Sequence, residues 1–367
     1  FSGGGGFGGD GYMLVPDQTF LSLFPARSSA APDHILLRIR PGTQPDEVSE
    51  RMKGYVQEWR PIAGLDDEAV AGVVRRDEID ILVDVSGHTA SNRLLVFARK
   101  PAPIQITMFG YPNTTGMKMI DYRITDPFAD PVGKTAKMYT EKLLTLPECS
   151  YIYQPPTDAP SVSALPALQN GYVTFGMLNN PAKITTKMVE LWARIMQEVP
   201  KSRLIVLAGR NGFGSKYIYD RFAQVGITGE QLELIPRLSA NDYLALHNRI
   251  DINFDPYPYN GGITTIDSLY MGVPVLSLGG PNYVSRQGIS LLTNVGLSSF
   301  FAESTEEFIE VALHWATNAT KLSLVRETLR ERVEKSPLFA YDQYVTNLES
   351  AYRKVWQERC ETQEWNV

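Results

Sequence analysis

Short apolar runs alternate with amphipathic stretches along most of the chain, the rhythm of parallel strands covered by helices. His34–Arg40 and Ile79–Val85 read as strands. Between them, polar Asp46–Glu58 and the Asp66–Arg76 segment, whose Val70, Val73 and Val74 share a face, read as helices. Ile104–Phe109, Tyr122–Thr125 and Lys142–Leu146 supply further strands. Pro155, Pro156, Pro160 and Pro166 then interrupt the pattern, which predicts a linker over 153–170. The rhythm restarts with a strand over Tyr172–Met177 and a helix carrying Met188, Leu191, Trp192, Ile195 and Val199 on one stripe. Arg203–Ala208, Leu232–Ile235, Asp251–Phe254 and Val273–Leu278 follow as strands. From Ser304, where Ser304 and Glu307 have capping-box spacing, the chain reads as helical to about Cys360.

The predicted fold class is therefore α/β: two Rossmann-like, doubly wound halves facing across a cleft, with C-terminal helices. Residues 34–152 form an N-terminal half, 153–170 the linker, and 171–367 a C-terminal half that includes the terminal helices. The glycine-rich start, 1–33, is expected to be disordered or misassigned, because such sequence buries too little surface to offset its backbone entropy.

Composition narrows the function. A net charge of −6 repels a phosphate backbone, which argues against a nucleic-acid partner. No apolar run approaches the length of a membrane span. Two distant cysteines, Cys149 and Cys360, suit a reducing compartment, and the four histidines never recur at the spacing of two ligands on one helix face. No metal and no resident cofactor are expected. The absence of a phosphate-loop lysine motif, and of a Gly-x-Gly-x-x-Gly between strand and helix, argues against ATPase and dinucleotide-oxidoreductase chemistry.

The most informative segment runs from Asp255 to Pro274. A strand ends at Asp255, the turn contains Gly261 and Gly262, and a helix starts near Ile263 with Thr264 and Thr265 in its first turn. Free amides and the positive end of the helix dipole would converge there on a diphosphate, with Asp267 one turn along for ribose hydroxyls. A plain strand-to-helix turn with a threonine cap reads the same way. Lys183, on the Pro-braced loop Asn179–Ile184, is placed to neutralise a departing phosphate or is simply solvated. His88 follows Asp84 at a strand end, as a cleft imidazole with a carboxylate nearby or as a structural histidine. The Gly110–Gly116 segment is a tight turn or a close approach to a sugar.

These segments resemble the catalytic region of the nucleocytoplasmic protein O-GlcNAc transferase and SPINDLY family, nearer its SPINDLY-like branch. The likeness is carried by Asp80-Ile-Leu-Val-Asp-Val-Ser-Gly-His-Thr-Ala90, Arg99-Lys-Pro-Ala-Pro-Ile-Gln105, Gly110-Tyr-Pro-Asn-Thr-Thr-Gly116, Asp121-Tyr-Arg-Ile-Thr-Asp126 and Val173 to Ile184. It continues through Ser268 to Pro274, Ser336-Pro-Leu-Phe339, Leu348, Glu349, Tyr352 and Trp356. The resemblance implies a GT-B glycosyltransferase that makes inverting, metal-independent transfers from a sugar nucleotide to Ser or Thr of acceptor proteins, in the cytoplasm or the nucleus. UDP-GlcNAc is the implied donor and GDP-fucose the alternative. Carried over by position, Lys183 matches the essential phosphate-binding lysine and Asn180 a donor-contacting amide, while Thr264 and Thr265 hold the diphosphate and Asp267 the ribose. Gly110 and Pro112 line the sugar pocket, and Tyr243 stands where a base-contacting residue is usual. Gly262 replaces the histidine of the animal enzymes. The family's histidine-bearing segment has no match in Phe1–Asp33, so a catalytically silent nucleotide-binding module is the competing reading.

Overall fold

The computed structural model describes residues 11–14, 35–39, 55–56, 58–208 and 215–362, and its backbone packing divides the chain into two units. Among the described residues, the first takes the chain up to Tyr151 and again from Tyr341; the second is Ile152–Ala340.

The first unit is built on a seven-stranded sheet. Its strands are β1 (Gly11–Leu14), β2 (Ile35–Ile39), β3 (Glu58–Arg60), β4 (Ile81–Asp84), β5 (Ile104–Thr107), β6 (Tyr122–Thr125) and β7 (Lys142–Thr145), in the order β3-β1-β2-β4-β5-β6-β7. From β2 to β7 neighbours run parallel, and β1 pairs antiparallel with both β2 and β3. Helix α1 (Asp67–Arg76) starts where Asp66 accepts from Ala69 N at 2.8 Å, with acids in its first turn and Arg75 and Arg76 in its last, as the helix dipole favours. Val70, Ala71 and Val74 bury its inner face against Ile79, Leu82 and the short helix α2 (Leu94–Ala98).

The second unit holds helix α3 (Pro166–Asn170), strand β8 (Thr174–Met177), α4 (Thr186–Glu198), β9 (Arg203–Leu207), α5 (Ser215–Gln224), β10 (Leu232–Ile235), α6 (Ala240–Leu246) and β11 (Ile252–Phe254). It continues through α7 (Ile263–Tyr270), β12 (Val275–Leu278), α8 (Gln287–Asn294), β13 (Phe301–Ala302), α9 (Thr305–Ala316) and α10 (Ala319–Glu334). All six strands are parallel, in the order β10-β9-β8-β11-β12-β13. Counted from β8 this is the doubly wound order, and its direction reverses between β8 and β11. Ligands bind outside the carboxyl ends of the strands at such a reversal. The core holds a stack of rings: Phe175 on Phe254 at 4.6 Å between centroids, Trp192 on Phe254 at 5.4 Å, and Phe222 beyond Trp192 at 6.4 Å.

Several expectations need correction. Gly11–Leu14 is a strand, although it lies in the 1–33 stretch read as disordered; pairing on both sides satisfies its backbone groups whatever its composition. The rest of 1–33, and most of the helix predicted over Asp46–Glu58, lie outside the described residues, and Glu58 itself opens β3. The segment 153–170 is not a free linker but is fastened to the second unit. Buried Arg326 donates to Ser163 O (2.8 Å), Asn248 Oδ1 accepts from Ser163 N (2.9 Å), and Asp251 accepts from Ala167 N (2.8 Å). A cavity of about 640 Å³ behind this segment, lined by Leu165, Tyr172, Arg203 and Arg249, opens at the amino ends of the strands. The last helix, α11 (Tyr341–Thr362), belongs to the first unit rather than to a 171–367 domain. Its buried Tyr344 donates to Ser150 O at 3.2 Å, and Tyr352 reaches Met108. Among the described residues no helix is long and apolar enough to cross a membrane, and no three His, Cys, Asp or Glu gather as a metal site.

Candidate active site

In the second unit the loop after β8 and the turn after β11 meet at the reversal of strand order. The turn is suspended by its own and neighbouring groups. Asp255 Oδ1 accepts from Gly261 N at 2.6 Å, Asn260 Nδ2 donates to Pro256 O at 3.0 Å, and Thr185 Oγ1 donates to Tyr257 O at 3.1 Å. Helix α7 then opens at Gly262 with no side chain capping it. Its first amides point out of an uncapped amino end, where the dipole favours an anion.

Glycine at 261 is a steric requirement. A Cβ there would lie 2.4 Å from Thr265 Oγ1 and 2.7 Å from both Asn179 Nδ2 and Thr264 Oγ1, so three polar side chains converge on that point. The Gly261 amide itself is spent on Asp255, which leaves Gly262 and the first residues of α7 to face a ligand.

Lys183 lies on this turn. Its Nζ donates to Asn260 O at 2.9 Å and stands 4.1 Å from the centroid of the Tyr259 ring. Burial pulls its pKa down to about 8, against the opposing charge of Asp255. The amide meeting α7 is Asn179, whose Nδ2 donates to Thr264 Oγ1 at 2.9 Å. Asn180 is exposed, and its side chain accepts from Ala182 N at 3.0 Å, capping the short turn that carries Lys183. The amide that meets α7 is thus one residue before the expected Asn180, because adjacent side chains leave the loop in different directions.

Two further expectations change. Tyr243 does not present a ring for a base; it is 3% exposed and packs with Leu178, Ile205, Ile250, Met271 and Val273. Asp267 is 2% exposed, and its Oδ1 accepts from Tyr153 Oη at 2.6 Å. Burial raises its pKa to about 6 despite that bond. The carboxylate therefore ties α7 to the segment after the crossing at Ile152 and is closed to ribose hydroxyls in this structure. Sequence spacing placed Asp267 on the right helix but could not say which face that helix buries.

In the first unit, His88, Gly110 and Pro112 come together in two touching loops. A Cβ on Gly110 would lie 2.2 Å from Val85 O and 2.7 Å from Ser86 Cα, and one on Gly87 would lie 2.4 Å from Tyr111 Cβ. His88 is exposed, with Nε2 2.7 Å from Thr115 O and its ring edge-on to Tyr111 at 5.2 Å. A carbonyl only accepts, so Nε2 is the donor in this contact. Asp84 is not its partner: that carboxylate accepts from Ser86 N, Gly87 N and Thr107 Oγ1. Pro112 is buried and braces the turn rather than lining an open pocket. Glu141, unforeseen from sequence, accepts from Thr114 Oγ1 and from Thr115 N at 2.7 Å each. Burial alone would raise its pKa, but these bonds outweigh that and hold it low. Gly110→Ala must push two backbones apart, and it is expected to destabilise the first unit by ~1–3 kcal/mol. Urea unfolding checks this: a lower midpoint at unchanged slope is the expected result, and an unchanged midpoint would show that the loops separate freely.

Comparison with known proteins points one way. The sequence profile of glycosyl transferase family 41 matches residues 62–156 and 161–348. The chain is 44% identical over 308 residues to a Petunia hybrida protein named "Probable UDP-N-acetylglucosamine--peptide N-acetylglucosaminyltransferase SPINDLY", covering 83% of this chain and 33% of that one. The Arabidopsis thaliana protein of the same name is 42% identical over 307 residues, again covering 33% of its length. The chain thus spans about a third of these relatives. Among solved structures it is similar to a mutant O-GlcNAc transferase of Thermobaculum terrenum, with a TM-score of 0.80 and 34% identity over 87% of this chain and 61% of that one.

Proposed function

The chain belongs to glycosyl transferase family 41, and from that premise we propose that it transfers N-acetylglucosamine from UDP-GlcNAc to Ser or Thr hydroxyls of protein acceptors, with inversion. The observation that carries this reading is the ammonium of Lys183 seated on the Asn260 carbonyl, two residues before the uncapped amino end of α7 at Gly262, at the reversal of strand order.

The chemistry follows from charge. An acceptor hydroxyl attacks the anomeric carbon and loses its proton, while the bond from that carbon to the diphosphate oxygen breaks and UDP leaves with the electron pair. Negative charge grows on the leaving oxygen, next to Gly262, the first amides of α7 and Lys183. Fixed donors in a half-buried site stabilise such charge with little reorganisation. Thr264 and Thr265, with Asn179 behind Thr264, add hydroxyl and amide contacts. The hydroxyl's proton passes to water or to a basic group beside it.

Titration of the chain with UDP and with GDP by calorimetry tests the site, and labelled-sugar transfer from UDP-GlcNAc to an acceptor peptide tests the reaction. Saturable UDP binding with Lys183-dependent transfer is expected. Preference for GDP would overturn the donor, and UDP binding without any transfer would identify a silent module.

A further inference from the structure

Two side chains of opposite charge reach one peptide group from its two ends. Lys183 Nζ donates to Asn260 O at 2.9 Å, and the next atom pair along, Gly261 N–H, donates to Asp255 Oδ1 at 2.6 Å. That carbonyl and that N–H belong to the same amide. Asp255 is 1% exposed, its Oδ2 accepts from Ser277 Oγ at 2.7 Å, and among the described residues no cation lies within ion-pair distance of it. The carboxylate and the ammonium thus share no direct contact; the Asn260–Gly261 amide is what joins them.

We propose that Asp255 is a positioning residue that acts on Lys183 through this amide, keeping the lysine charged and seated on the carbonyl while it anchors the turn that opens α7. The inference rests on the role given to Lys183 above and adds a second residue to it. Hydrogen bonds in series polarise one another, so a carboxylate pulling on the N–H makes the opposite carbonyl a better acceptor for the ammonium, and the low local dielectric strengthens the effect. Other groups around the pair are few. The Tyr259 ring lies under Lys183, Ser277 faces the carboxylate, and the Gly288 backbone packs so closely that a Cβ there would lie 2.7 Å from Asp255 Oδ2. Lys187, one turn on, sits over Tyr257 at 5.7 Å.

The protonation states set the pH window. Burial raises Asp255 to about 7, with Gly261, Ser277 and Lys183 opposing, and burial lowers Lys183 to about 8. Below about 7 the carboxyl is neutral and Lys183 is charged without its help. As pH climbs past 7 the carboxylate forms, and it then holds the proton on Lys183. Above about 8 the ammonium is lost, and binding a diphosphate must take up a proton.

Asp255→Asn keeps an oxygen for Gly261 N–H and removes the charge. UDP affinity of the full chain, measured by calorimetry from pH 6 to pH 10, is expected to match the wild type within about twofold at the acidic end. Its alkaline fall-off should begin about one pH unit lower. Ser277→Ala, which withdraws a bond that favours the carboxylate, should move the fall-off in the same direction by less, and it serves if the asparagine variant does not fold. A fall-off that stays in place in these variants, or a loss of affinity equal at every pH, overturns the proposal and leaves Asp255 as a structural anchor. Absence of UDP binding by the wild type at any pH would instead remove the nucleotide reading, and this inference with it.

Discussion

Lys183→Ala is expected to lower the turnover of sugar transfer by ~10²–10³-fold, the range for removing one fixed donor from a developing negative charge. UDP affinity should fall by much less, about tenfold at most, because the ground-state diphosphate keeps the amides of α7 while the leaving oxygen gains its charge only in the transition state. Steady-state kinetics with UDP-GlcNAc and an acceptor peptide, alongside UDP calorimetry, separate the two. Equal losses in both would mean that the lysine merely binds ground-state phosphate. Lys183→Arg should fall between, since the cation survives but a planar fork cannot sit on a single carbonyl above Tyr259 as an ammonium does.

The second large effect is on stability. Trp192 is 0% exposed and forms the middle of the stack that joins Phe222 to Phe254 and Phe175. Trp192→Ala is expected to destabilise the second unit by ~3–5 kcal/mol, the cost of losing a large buried ring and leaving a cavity. Trp192→Phe should cost less than about 1.5 kcal/mol. Its indole N–H has no partner among the described residues, so no hydrogen bond is lost with it. Urea unfolding compares the three proteins. Equal midpoints for alanine and phenylalanine would show that ring contact contributes nothing there. Phe254 also precedes Asp255, so a disturbed stack should shift the turn and weaken UDP binding even where the fold survives.

The alternation of apolar runs located both sheets, and the placement of Met188, Leu191, Trp192 and Ile195 on one stripe matches the buried face of α4. The Asp255–Pro274 segment showed its strand, turn and helix because glycines and a following helical pattern are local signals. Lys183 was legible for the same reason: it lies on a short loop whose proline marks its bend.

Other features were beyond local pattern. Asn179 rather than Asn180 meets Thr264 because side-chain direction at a strand end depends on the pleat. Asp267 turned inward because α7, buried from Thr265 to Tyr270, has no exposed polar face to betray its orientation, and Tyr243 shares the buried apolar face of α6 with Leu244 and Leu246. The joining of Asp255 to Lys183, and of Tyr153 to Asp267 across 114 residues of sequence, depends on loops that only long-range packing brings together.

Residue order alone was enough to establish an α/β chain of two sheets and to mark a glycine turn opening a helix and a lysine on a proline-braced loop, since strand period, helix period and turn chemistry are all written within a few neighbouring positions. Packing in three dimensions decided which polar groups face that helix end, which are sealed in the core, and to which unit α11 returns. Those choices turn on burial and on partners distant in sequence, whose free energies no short window contains.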